Sequence, residues 1–158
     1  MVIYDILLAD DDENDVLLVK IAFTRAGLAK RIMVVTDGEK VLQYLKGEPP
    51  YSDRGIYPLP QLLLLDLSLP RLNGLEVLAW LQTWPGSKQM PTIALSGSCD
   101  DADLKSARNL GAFSFLRKRA EIGELALALK ELDEYFLELQ IETPFQKNTL
   151  VARRFGAV

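Results

Sequence analysis

Five side chains of the kinds that handle phosphate and hard cations each follow a short apolar run: Asp10, Asp11, Asp66, Ser96 and Lys118. Asp10 and Asp11 follow Ile6-Leu7-Leu8-Ala9, and Asp66 follows Leu62-Leu63-Leu64-Leu65. Ser96 follows Thr92-Ile93-Ala94-Leu95, and Lys118 follows Phe113-Ser114-Phe115-Leu116-Arg117. Two adjacent acids repel unless positive charge offsets them, and a divalent ion does so. The chain has no histidine, and an oxygen-only ligand set points to Mg²⁺, which takes a few carboxylates plus phosphate oxygens and keeps several waters. Asp66 is then suited to act as a carboxylate nucleophile that forms an acyl phosphate. Mg²⁺ and the Lys118 ammonium would stabilise charge on the transferring group. Ser96 offers a hydroxyl to one phosphoryl oxygen, with Gly97 leaving room beside it. Singly, each residue has a plainer explanation: Asp11 and Asp12 cap a helix, Asp66 starts a turn, Lys118 is a solvated charge. Jointly, at the ends of four different strands, that explanation is poor.

The elements that must position them alternate from end to end, as expected for an α/β parallel sheet with crossover helices. Strands are expected at 4–9, 32–35, 62–65, 92–95 and 113–117. Helices are expected at 13–26, 39–46, 75–82 and 100–110, and from Glu121 to about Ile141. Asp12 caps the first helix, Asp15 lies in its first turn and Gly27 follows its end. Val16, Val19, Ala22 and Phe23, joined by Leu17, form its buried face. In such sheets ligands bind at the carboxyl ends of the strands. The segment 47–60, with Pro49, Pro50, Pro58, Pro60 and Gly55, is expected to be an extended surface loop. Residues 1–141 are expected to form one domain and 142–158 a C-terminal tail, with no output domain expected.

Size and composition narrow the classes. The 158 residues are 49% hydrophobic and 25% charged, enough to bury a core in one globular domain. A net charge of −4 argues against nucleic acid as partner. Cys99 is the single cysteine, which excludes an intrachain disulfide and a thiolate metal cluster. The missing histidine excludes an imidazole base, ligand or phosphocarrier. No apolar run reaches the roughly 20 residues of a membrane span, and the N-terminus lacks the basic start of a signal peptide. A cytoplasmic location without membrane contact is expected.

Four segments resemble the receiver domains of bacterial two-component response regulators. They are Ile6-Leu7-Leu8-Ala9-Asp10-Asp11, Leu64-Leu65-Asp66-Leu67-Ser68-Leu69-Pro70 with Asn73-Gly74, Ile93-Ala94-Leu95-Ser96-Gly97, and Gly111 through Lys118. The resemblance covers about 3–140 and implies a doubly wound, flavodoxin-like (βα)5 fold with strand order 2-1-3-4-5. It also implies that Asp10, Asp11 and the Ser68 carbonyl hold Mg²⁺ with Asp66. Asp66 would take phosphate from a sensor histidine kinase, Ser96 and Lys118 would read the phosphoryl group, and Phe115 would be the aromatic switch. The signal would leave by protein–protein contact or onward phosphotransfer. The long loop before Asp66 looks like that of stand-alone regulators serving phytochrome-type kinases. One departure is Arg119, where the family has proline. Its peptide is expected to be trans or a strained cis bond, a non-proline cis bond costing about 2.5–4 kcal/mol.

Other readings stay open on the residues. A haloacid-dehalogenase-type phosphatase would want an acid two residues after its nucleophile, and Ser68 stands there. A nucleotide switch would need a glycine-rich phosphate loop, and neither motif occurs. A scaffold with a degenerate pocket would not need all five residues. Ile122, Leu125, Leu129, Leu132, Phe136 and Leu139 form one apolar seam along the last helix. Its first half is expected to pack on the sheet, and its second half to serve a partner, with a homodimer as the expected use.

Overall fold

Leu62–Asp66 (β3) runs through the middle of a five-stranded parallel sheet and is buried along its length. The structure is a computed structural model that describes residues 4–28, 30–97, 101–118 and 121–139. The other strands are Tyr4–Ala9 (β1), Lys30–Val35 (β2), Thr92–Ser96 (β4) and Ser114–Arg117 (β5), and the order is β2-β1-β3-β4-β5. The helices are Glu13–Arg25 (α1), Gly38–Lys46 (α2), Gly74–Thr83 (α3), Asp101–Asn109 (α4) and Ile122–Leu139 (α5). A short 3-10 turn, Pro85–Gln89, was not expected. The expected α/β class and strand order 2-1-3-4-5 are what the structure has.

Alternation along the strands divides the core into two layers, because successive side chains point to opposite faces. Leu7, Ala9, Leu63, Leu65 and Ala94 face α2, α3 and α4, packing with Val41, Leu45, Val77, Leu78, Leu81 and Ala107. Ile6, Leu8, Leu62, Leu64, Ile93 and Leu95 face α1 and α5. There they meet Val19, Ala22 and Phe23 of α1 and Leu125, Ala126, Leu129 and Leu132 of α5. The first half of the α5 seam therefore packs inward as expected. The side chains of Phe136 and Leu139 lie outside the described residues, as do Arg119 and the tail.

Two expectations are corrected. Leu17 does not join the buried face of α1 but is 55% exposed. It stacks one turn below Lys20 and two below Thr24, both exposed, so the helical period carries it to the polar side. The segment 47–60 is not simply extended. Arg54 turns back under the C-terminus of α2, donating to the carbonyls of Tyr44 (2.9 Å), Leu45 (2.9 Å) and Tyr57 (3.2 Å). The Tyr44 and Leu45 carbonyls belong to the last turn of α2, where a helix leaves its carbonyls without i+4 partners. Tyr44, Tyr51 and Tyr57 pack ring against ring over the same spot, with centroids 5.1–6.0 Å apart, and the Tyr44 hydroxyl donates to the Pro58 carbonyl at 3.0 Å.

The sheet ladder continues one residue past the strands and so fixes the side chains that follow. The backbone N–H groups of Asp10, Leu67 and Lys118 donate to the carbonyls of Val35, Leu95 and Ser96, each at 3.0 Å. α3 starts almost on top of β3's end. Asn73 and Glu76 close a reciprocal capping box at its N-terminus. A Cβ on Gly74 would stand 2.6 Å from both the Asp66 carbonyl oxygen and the Leu67 Cα. Backbone cannot yield as a flexible side chain does, so Gly74→Ala should destabilise the fold by about 1–3 kcal/mol. Denaturant unfolding checks this, and an unchanged midpoint would contradict it.

Candidate functional site

The carboxyl ends of β1, β3, β4 and β5 converge as their registers require. Asp66 pairs with Leu95, and Ser96, one residue further, pairs with Arg117. Asp10, Asp66 and Ser96 are buried at 1%, 1% and 5% exposure, whereas polar residues of these kinds are usually exposed. Lys118 reaches back from the end of β5. Its Nζ lies 2.9 Å from Asp66 Oδ2, 3.1 Å from Asp10 Oδ1 and 3.0 Å from Asp10 Oδ2. Asp66 Oδ1 accepts the Ser68 backbone N–H at 2.9 Å, and Asp10 Oδ1 accepts that of Asp12 at 3.0 Å. Phe115 is half-buried and packs against the layer that holds α2, α3 and α4. Of the residues singled out in the sequence, Asp10, Asp66 and Lys118 are in direct contact and Asp11 stands beside them. Ser96 ends the neighbouring strand and Ser68 follows Asp66 in a turn.

A fourth carboxylate was missed. Asp15 Oδ2 lies 2.8 Å from Lys118 Nζ, with side-chain exposures of 12% and 9%. Asp15 sits three residues after the N-cap Asp12, where a capping-box acid would turn back to the cap's own N–H. That N–H already donates to Asp10, so the Asp15 carboxylate is free to turn to the pocket. The available signal was an acid at capping-box spacing whose cap follows an Asp-Asp pair.

Three carboxylates, those of Asp10, Asp15 and Asp66, thus contact one ammonium, with Asp11 close to Asp10 and Asp66. Burial pulls the Lys118 ammonium down, but hydrogen bonds to Asp15, Asp66 and Asp10 outweigh it and hold the group above its ordinary value. Burial pushes the Asp10 carboxyl above its ordinary range, and the Asp12 N–H and Lys118 only partly oppose it. A single lysine leaves the acids under-compensated.

This donor set fits a hard divalent cation. Asp10, Asp11 and Asp66 each offer an oxygen, all within 4.8 Å of one another. Asp10 Oδ2 is buried and makes no well-directed hydrogen bond, although the Lys118 ammonium lies 3.0 Å away. A bound cation would satisfy that oxygen and offset the excess charge.

Residues 6–130 match the sequence profile of the response regulator receiver domain. The chain belongs to that family. The receiver domain is 33% identical over 132 residues to the probable methanogenesis regulatory protein FilR2 of Methanothrix harundinacea, covering 84% of this chain and 83% of that one. Its fold is similar to the phosphorylated cyanobacterial phytochrome response regulator RcpA (TM-score 0.75, 29% identity, 86% and 95% covered). It is similar also to the Mn²⁺-bound form of the response regulator Rcp1 (TM-score 0.72, 27% identity, 85% and 95% covered); the curated Rcp1 is from Synechocystis. Receiver domains are phospho-accepting signalling modules, generally not enzymes. They bind Mg²⁺ or Mn²⁺ at an acidic pocket and work with a histidine kinase as phosphodonor. Among the described residues, no helix is long and apolar enough to cross a membrane.

Proposed function

We propose that Asp66 accepts the phosphoryl group in this receiver domain, from a phosphohistidine of a sensor kinase. The observation behind this reading is that Asp66, buried at a strand end, shares one ammonium with Asp10 and has carboxylate oxygens of Asp10 and Asp11 within 4.8 Å, close enough to share a cation. Mg²⁺, held by Asp10, Asp11, Asp66 and the Ser68 carbonyl, would neutralise charge on the phosphoryl oxygens. One Asp66 oxygen attacks phosphorus, the O–P bond forms as the N–P bond of phosphohistidine breaks, and the departing imidazole nitrogen keeps the electron pair and is protonated. The Ser68 N–H orients the carboxylate through Oδ1. Lys118 passes from the Asp66 oxygen to a phosphoryl oxygen, Ser96 donates to a second, and Phe115 reports the change to its own face of the domain.

Intact mass after incubation with Mg²⁺ and a small phosphodonor tests this. A stable gain of one phosphate is expected. Donor turnover without accumulation would indicate a phosphatase, and an unchanged mass a scaffold.

The signal then leaves by contact with an effector or by onward phosphotransfer. Self-association through the far end of α5, at Phe136 and Leu139, is the contact proposed here, since these residues continue the apolar spacing of Leu125, Leu129 and Leu132 and an exposed apolar strip is unfavourable unless covered. Light scattering should show a dimer in at least one phosphorylation state; a monomer in both would exclude it.

A further inference from the structure

The Lys118 ammonium has three protons to donate, and its three carboxylate partners differ in what phosphoryl transfer does to them. Asp10 and Asp66 belong to the trio spaced for a cation, and Asp15 does not. A cation drawn to Asp10 and Asp66 takes up their charge and repels the ammonium beside them. Attack by Asp66 further removes negative charge from the carboxylate that faces Lys118. Lysine is a point charge on a flexible four-carbon stem, so it needs a fixed partner while those two contacts weaken and until a phosphoryl oxygen takes their place. Asp15 remains. Its ion pair with the ammonium is 2.8 Å long, against 2.9 Å for Asp66 and 3.0 Å for Asp10, and it is largely shielded from water, where an ion pair keeps more of its strength than at the surface. It is carried on the first turn of α1, which Asp12 anchors through the backbone N–H groups of Asn14 and Asp15.

We propose that Asp15 is a positioning residue for phosphoryl transfer, holding the Lys118 ammonium at the pocket through the step in which Asp10 and Asp66 release it. This rests on the reading of Asp66 as phosphoacceptor. Asp15 touches neither metal ligand positions nor phosphoryl group; it acts through Lys118. The helix cap uses the Asp15 backbone N–H and not its carboxylate, so Asp15→Asn leaves the start of α1 intact.

The test is the initial rate of labelling by acetyl phosphate at saturating Mg²⁺, followed by intact mass, in the full chain. Asp15→Asn should slow labelling about tenfold, in line with interaction energies between contacting charged residues. Asp15→Glu, which keeps the charge, should recover most of the rate. Asp15→Asn added to Lys118→Ala should slow labelling no further than Lys118→Ala alone, a non-additivity that a purely structural role would not produce. Labelling of Asp15→Asn at the wild-type rate would overturn the inference alone. Full additivity in the double variant would overturn it too, because Asp15 would then act independently of Lys118. A wild-type chain that takes no phosphate would overturn the phosphoacceptor reading and this inference with it.

Discussion

Asp66→Asn is expected to abolish phosphoryl labelling while the fold stays at least as stable as the wild type. The amide has nearly the shape of the carboxylate, and its oxygen can still accept the Ser68 N–H that now meets Oδ1. It has no charged oxygen to attack phosphorus, so the nucleophile is lost outright. Stability should not fall, because the substitution removes one of four crowded acids and leaves Lys118 paired with Asp10 and Asp15. Labelling is read by intact mass and stability by thermal unfolding. A labelled Asp66→Asn protein would contradict the assignment of the acceptor.

Lys118→Ala should carry the second-largest effect, on two observables with opposite dependence on metal. Labelling should fall by at least about 100-fold, the range seen when one preorganised electrostatic group is removed from a transition state. In metal-free buffer the fold should lose about 3–5 kcal/mol, because breaking a buried ion pair from one side leaves the other side's charge uncompensated. The side chains concerned, Lys118, Asp10 and Asp66, are at most 9% exposed, so solvent screens them little. Saturating Mg²⁺ should restore most of that stability by supplying the missing charge, and its affinity should rise since the competing ammonium is gone. Denaturant unfolding with and without Mg²⁺ checks the prediction. Equal stability of wild type and variant in metal-free buffer would contradict the charge balance described for this pocket.

Much of this was legible in the chain, for physical reasons that can be named. The leucine run 62–65 reads as a strand covered on both faces, and residues that end such runs in a parallel sheet must gather at one edge. Asp10, Asp66 and Lys118 did so, and their direct contacts follow from the register. Gly47 stops α2 in a left-handed conformation, φ 72°, where glycine's freedom is required. Asp15 was not legible as part of the site. Its spacing from Asp12 fits ordinary helix capping, and only the Asp12 N–H to Asp10 hydrogen bond reveals that its carboxylate is spare. Leu17 was misplaced because a leucine adjacent to a buried stripe is one helical step, about 100°, from it. The Arg54 clasp was hidden for another reason. Prolines and a glycine describe the local backbone of 47–60, whereas the clasp depends on where that loop meets the end of α2.

The central claim is that an acyl phosphate forms on Asp66, and borohydride tests it most directly. The reagent reduces an aspartyl phosphate to homoserine and so marks the acceptor covalently. After incubation with Mg²⁺ and acetyl phosphate, then reduction and peptide sequencing by mass spectrometry, homoserine is expected at position 66. Homoserine at Asp10, Asp11 or Asp15 instead, or a phosphate gain that yields no homoserine at all, would contradict the account.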